Sequence, residues 1–344
     1  MTMTWRHLSS RLGVTFVLIT TSLMAPPVMA GCNDPSLKGV NLAGAEFASS
    51  KLPGVLNKDY VYPGRDQMDY FASLGANAIR LPFRWERIQP ALFGELDALE
   101  LKNLETTVAM ARSRGMCVIL DVHNYGAYRG NAIGTQAVPA AAFIHLWTRL
   151  AKTFTDTSST AFGLMNEPHK LPIEQWAGVA QKTIDAIRQT GAQNLILISG
   201  GRWSGVHEWE KSFSGTSNAM AFSNLKDPLK QSWIDVHQYA DADYSGTGKS
   251  CRSAEQLTNM FVRMTQWAQT HNQQLFLGEF GVPANQACLD TLDSMLKQMT
   301  DTGVWRGWTY WAAGSWWGDY PLSIEPRDGR DAPQIRILKK HLGT

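Results

Sequence analysis

From residue 39 onward, short apolar runs alternate with longer amphipathic stretches. The apolar runs begin near Gly39 (GVNLAG), Ala78 (AIRLPF), Cys117 (CVILDVH), Ala161 (AFGLMNEP), Leu195 (LILISG), Trp233 (WIDVHQY), Leu275 (LFLGEFG) and Trp305 (WRGWTYW). Polar residues do not alternate along them, which predicts strands covered on both faces. The stretches 101–115, 140–154, 173–191 and 254–271 carry helical periodicity. Gly75, Gly115 and Gly191 stand just before the next strand, where a left-handed cap would end a helix. Eight such units over about 300 residues predict an α/β fold, a single (β/α)8 TIM barrel. A doubly wound open sheet is the competing layout, but no Gly-x-Gly-x-x-Gly turn follows the first strand.

With 44% hydrophobic and 18% charged residues, the chain has material for a large core. Removing Arg6 and Arg11 with an N-terminal leader takes the 32 basic residues to 30, against 30 acidic ones. This balance, without a basic run, argues against nucleic acid or an anionic membrane as partner. The 13 Trp fit sugar-stacking platforms, although most Trp in any protein are core.

Residues 1–30 read as a secretory signal. Arg6, His7 and Arg11 give a positive start, Val14 to Met24 is an apolar run too short to span a bilayer, and Val28-Met29-Ala30 is a small-residue cleavage site. Met29-Ala30-Gly31-Cys32 is also an imperfect lipobox, so plain secretion and lipidation at Cys32 both stay open. The expected mature domain is 31–344, with no linker and no carbohydrate-binding module before the chain stops at Thr344. Cys117, inside the apolar run Met116 to Leu120, reads as a buried free thiol. Cys32 falls at the mature N-terminus, which leaves Cys251 and Cys288 as the natural disulfide pair. No spacing matches a zinc site, so neither a metal nor a cofactor is expected.

In a TIM barrel the site lies at the C-terminal ends of the strands. Those positions here carry Arg80, His123 with Asn124, Asn166 with Glu167, His237 with Tyr239, Glu279 and Trp311. Two carboxylates across a barrel mouth suit glycoside cleavage, in which one protonates the leaving oxygen and the other meets the developing oxocarbenium carbon. Each residue alone has a bland reading: Asn166-Glu167-Pro168 as a loop turn, Glu279 as a structural ion pair, His123 and His237 as core histidines, Tyr239 and Trp311 as packing. Their joint placement on six strand ends favours a site.

This set resembles glycoside hydrolase family 5 of clan A. The blocks GVNLAGAEF, IRLPFRW, DVHNYGAYRGNAIG, GLMNEPH, DVHQYADADYSGT, GEFG and TYWAAGSWW resemble its subfamily 5 endoglucanases, from about Gly39 to the early 320s. The resemblance implies a (β/α)8 barrel and retaining hydrolysis of β-1,4-glucan, with the polysaccharide as partner. Glu167 matches the general acid/base and Glu279 the nucleophile. Arg80 would keep Glu279 ionised, Asn166 would bind the sugar 2-hydroxyl, His237 would orient the acid region and Tyr239 would sit against the nucleophile. Trp311 would floor the subsite at the nucleophile, with His123 and Asn124 lining it. Trp85 and Trp203 fall where the family places further stacking or lining residues. Cys251 and Cys288 match a subfamily disulfide. Trp316 and Trp317 depart from the commonest pattern and either extend the cleft wall or pack. A β-mannanase or xyloglucanase is the alternative within the family. A metal-dependent barrel hydrolase lacks its His-x-His in Gly39-Val-Asn-Leu-Ala43, and a non-catalytic glucan binder would have lost a carboxylate. A monomer is the expectation for a secreted polymer-cleaving enzyme.

Overall fold

The computed structural model describes residues 1–4 and 31–342. Eight strands form a closed barrel: β1 (Leu37–Leu42), β2 (Ala78–Phe83), β3 (Cys117–Val122), β4 (Thr160–Gly163), β5 (Ile196–Ser199), β6 (Ser232–His237), β7 (Leu275–Glu279) and β8 (Trp305–Ala313). All neighbours are parallel, and the pairing of β1 with β8, Val40 opposite Tyr310, closes the ring. The barrel expected from the sequence is therefore the one observed. The secretory leader lies outside the described residues.

The outer layer holds α1 (Arg65–Ser73), α2 (Ala98–Arg112), α3 (Ala140–Thr153), α4 (Ile173–Gln189), α5 (Asn218–Ala221), α6 (Ala254–His271), α7 (Gln286–Lys297) and α8 (Ile335–Leu342). Local chemistry sets their ends. The Asp97 carboxylate accepts the N–H groups of Leu99 and Glu100, both at 3.0 Å, and starts α2. Ser253 and Gln256 form a reciprocal capping box on α6. Gly75, Gly115 and Gly191 adopt φ of 89°, 71° and 88°, the left-handed conformation their positions predicted. The fifth unit is the exception. Its helix α5 is a single turn, and most of the segment between β5 and β6 is irregular, which leaves that side of the mouth to a long loop.

Inside the barrel, Leu37, Ala78, Ile119, Ala161, Leu197 and Phe276 belong to one buried cluster that also takes in Cys32 and Cys117. Here the structure corrects the sequence reading. Cys117 is not free, because it is bonded to Cys32 across 85 positions, and Cys251 is bonded to Cys288. The Cys32 N–H donates to the Ser158 carbonyl at 2.9 Å and lays the start of this region against the floor below β4. A thioether lipid would need the same Cys32 sulfur that this disulfide uses, so one chain can carry one or the other but not both.

Candidate active site

The strand ends converge on one buried guanidinium. Arg80, on β2, is fully buried. Its Nη1 donates to Glu279 Oε1 at 2.8 Å and to Asn41 Oδ1 at 2.9 Å. Its Nη2 donates to Asn166 Oδ1 at 2.7 Å and lies 3.2 Å from Asp121 Oδ2. Asp235 Oδ2 lies 3.9 Å from its Nε. Five donors in a fixed fork suit this multiple role, and a lysine could not fill it. Gly278 precedes Glu279 because a Cβ there would meet Asp235 Oδ1 at 2.0 Å.

Glu279 ends β7. Tyr239 donates its hydroxyl to Glu279 Oε2 at 2.8 Å. Burial pushes this carboxyl up, but His237, Arg80, His123 and the Tyr239 hydroxyl together hold it below its ordinary range. Glu167 follows β4 at φ 39°, a left-handed conformation that non-glycine residues rarely hold and that marks functional sites. Its Oε1 pairs with His237 Nδ1 at 2.9 Å. Burial raises the Glu167 carboxyl and the nearby Glu279 charge adds to the rise, while His237 opposes it. Burial disfavours a charged His237, but Glu279 and Glu167 outweigh it and push the imidazole up to about 9. The pairing of β6 with β7 shifts register at His237, which comes to lie opposite Glu279.

One oxygen of Glu167, one of Glu279 and one His237 nitrogen all lie within 4.8 Å of one another. The nearest oxygens of the two carboxylates are therefore no more than 4.8 Å apart. This spacing fits the roughly 5–5.5 Å of retaining glycosidases and not the ~6.5–9.5 Å of inverting ones.

His123, after β3, pairs through Nδ1 with Asp121 Oδ2 at 2.7 Å, while the Asn166 amide nitrogen lies 3.2 Å from its Nε2. The His123 ring stacks on Trp311, 14° apart with centroids at 5.5 Å. Trp203, after β5, is 43% exposed and stacks on His169 at 3.9 Å. Trp317 packs between Phe47 and Tyr320 and edges onto Trp311, whereas Trp316 is exposed.

Two expected lining residues are elsewhere. Trp85 is fully buried, packed against Tyr128 and Phe143, with its indole N–H on Gln89. A one-turn helix over Trp85–Ile88 turns the ring into the core, so it cannot stack on a ligand. Asn124 is also buried. Its Oδ1 accepts the Trp85 N–H, and its Nδ2 donates to Glu86 and to the Ala127 carbonyl, so it braces loops instead of lining the site. The sequence reading missed Asp121, Asp235 and Asn41 around Arg80, and Tyr125, whose hydroxyl is 3.2 Å from His123 Nε2.

Glu167, His237 and Glu279 also form a cluster of groups of the kind that can hold a cation, within which His237 Nδ1 and Glu167 Oε1 pair at 2.9 Å.

Known proteins share this framework. The cellulase family, glycosyl hydrolase family 5, matches residues 35–315. A probable endo-β-1,4-glucanase B of Aspergillus oryzae is 34% identical over 309 residues, 89% of this chain and 90% of the relative. The crystal structure of an endo-β-1,4-glucanase from Xanthomonas axonopodis pv. citri is 45% identical with a TM-score of 0.88, covering 89% of this chain and 98% of that one. A structure of XacCel5A in complex with cellopentaose is 47% identical with a TM-score of 0.87, covering 89% and 99%. On these matches and this site, the chain belongs to glycosyl hydrolase family 5, the cellulase family.

Proposed function

We propose that this protein is an endo-β-1,4-glucanase that hydrolyses internal bonds of cellulose and soluble β-glucans with retention of configuration. The observation that carries this reading is two carboxylates in close reach whose surroundings push their protonation apart, Glu279 towards the anion and Glu167 towards the acid. Glu279 attacks the anomeric carbon while Glu167 protonates the departing oxygen. A covalent glucosyl-enzyme results. Glu167, now a base, takes a proton from the water that releases the sugar.

Arg80 and Tyr239 hold the attacking carboxylate from both oxygens, so its orientation is set before substrate arrives. Trp311 offers an apolar face beneath the attacked ring, backed by His123. Asn166, held between Arg80 and His123, is the residue assigned to the 2-hydroxyl. Names of relatives that act on β-1,4-glucan, and the cellopentaose bound by XacCel5A, support the substrate class.

Export with cleavage after Ala30 is part of the proposal. It is supported by the layout of the first 30 residues and by two disulfides, which persist in oxidising compartments. Among the described residues no helix is long and apolar enough to cross a membrane.

The experiment is reducing-end release from carboxymethylcellulose and from galactomannan by the mature protein, with Glu279→Gln as the blank. Cleavage of the cellulose derivative alone supports the proposal. Preferential cleavage of mannan keeps the mechanism and replaces the substrate.

A further inference from the structure

A third carboxylate stands at the mouth of the barrel. Glu46 lies in the loop after β1 and is 8% exposed. Its Oε2 accepts the Gly44 N–H at 2.7 Å. Apart from Gly44 and its own backbone, the carboxylate takes no hydrogen bond from another described residue, and its Oε1 meets no side-chain donor. That oxygen is open to a ligand. The neighbouring Phe47 packs on Trp317, Trp317 edges onto Trp311, and Trp311 stacks on His123, so the Glu46 loop belongs to the same wall as the floor of the site.

The mechanism fixes which part of a glucan passes this wall. Glu167 protonates the leaving unit, so that half of the chain departs on the β4 side, towards Trp203 after β5. Strand β1 lies diametrically across the barrel from β5. The half that stays bound to Glu279 therefore runs over β8 and β1. We propose that Glu46 is a substrate-binding residue for this retained half, its Oε1 hydrogen-bonding a hydroxyl of the glucosyl unit on Trp311 or of the next unit. The inference rests on the glucanase reading above.

The electrostatics agree with this placement. Burial pushes the Glu46 carboxyl up to about 7, with Asp121 adding to the rise and His123 opposing it. The Tyr125 hydroxyl feels the Glu46 charge from the β3 side. A carboxyl that shares its proton near neutrality can both give a hydrogen bond to a hydroxyl and accept one. It also avoids adding a full negative charge near Asp121.

The test compares the mature enzyme with Glu46→Ala on cellopentaose and on cello-oligosaccharides lacking one hydroxyl at a retained unit. For the parent enzyme, one such deoxy substrate loses roughly tenfold in kcat/KM, the worth of a hydrogen bond to a buried polar group. Glu46→Ala loses a similar factor on cellopentaose, mostly in KM, and no longer distinguishes the two substrates. If every deoxy penalty survives in Glu46→Ala, the inference is overturned and Glu46 only ties its own turn through Gly44. Should that variant fail to fold, Glu46→Asp, which withdraws the carboxylate by one carbon, takes the same comparison, and an undiminished penalty overturns the inference. A parent enzyme inactive on cellopentaose would overturn the glucanase reading and this one with it. An active parent with unchanged penalties in the variants overturns this one alone.

Discussion

The disulfide between Cys32 and Cys117 closes a loop of 85 positions, while Cys251 and Cys288 close one of 37. Each removes freedom from the unfolded chain, and the longer loop removes more. The chain-entropy relation gives about 4.6 kcal/mol for the first pair and about 3.8 kcal/mol for the second at 25 °C. A folded region of this size gains about 0.65 kcal/mol/K of entropy on unfolding, so the losses correspond to roughly 7 °C and 6 °C in melting temperature. The perturbation is Cys32→Ala with Cys117→Ala, and separately Cys251→Ala with Cys288→Ala. Alanine suits the first pair because both sulfurs lie in an apolar cluster, where a serine hydroxyl would lack a partner. Thermal unfolding of the exported protein is followed by calorimetry, and the intact mass is read beside it. A first double variant melting within about 2 °C of the parent refutes the stabilising role. A mature mass carrying a diacylglyceryl group refutes the pairing itself, since one sulfur cannot serve both.

Four further outcomes follow from the site and the packing around it. Glu167→Gln should lower turnover of cello-oligosaccharides by about 10²–10⁴-fold, the usual worth of a general acid, and spare aryl cellobiosides whose leaving groups need no proton. Equal losses on both substrates would deny Glu167 that role. In the pH profile of kcat/KM, activity requires Glu279 ionised and Glu167 protonated. The acid limb should therefore lie below the ordinary carboxylate range, because Glu279 is held low, and the alkaline limb above it, because burial holds Glu167 high. Tyr239→Phe removes a donor to the Glu279 anion, so its acid limb should move to higher pH, and an unmoved limb would contradict the account. Trp203→Ala should raise KM on long glucans with little change in melting temperature, whereas Trp85→Ala should cost about 3–5 kcal/mol of stability. Measuring both quantities on both variants tests the split, and a stability loss at Trp203 would argue against a platform there.

The barrel was legible because its strands are unbroken apolar runs and its helices stop at glycines. Once the barrel is assumed, the site follows from asking what ends each strand. The buried support was missed for a readable reason. Asp121-Val122-His123 and Asp235-Val236-His237 each place an acid two residues before a histidine, and strand alternation puts both members on one face. A search for that pattern would have found the acids around Arg80. Trp85 misled because its block ends in a strand-like run, while the ring's direction depends on a helical turn that begins at that same residue. Asn124 misled for the opposite reason: it neighbours a site residue, but its side chain turns to serve the Trp85 backbone. The Cys32–Cys117 bond joins residues far apart in sequence, and only the closed barrel brings the floor of β3 against the segment that opens at Gly31.

Burial does not separate the two catalytic carboxyls; the charges and donors around each of them do. Burial is the largest influence on both Glu167 and Glu279 and acts in the same direction on each. Glu279 meets two direct donors, Arg80 and Tyr239, while Glu167 meets only the His237 nitrogen it must share. Asp235 tests this reasoning inside the same molecule. It faces Arg80 as Glu279 does, but at 3.9 Å, with Oδ1 unpartnered, and burial pushes it up to about 6 despite the nearby cations. A buried acid beside a guanidinium is thus not ionised by proximity alone: Glu279 gains from His237, Arg80, His123 and the Tyr239 hydroxyl together, while Asp235 meets His237 and Arg80 against the like charges of Asp121 and Glu279. Arg80 directs its 2.8 Å hydrogen bond to Glu279 and stays 3.9 Å from Asp235, and so adds to the set of contacts that keeps Glu279 the ionised acid.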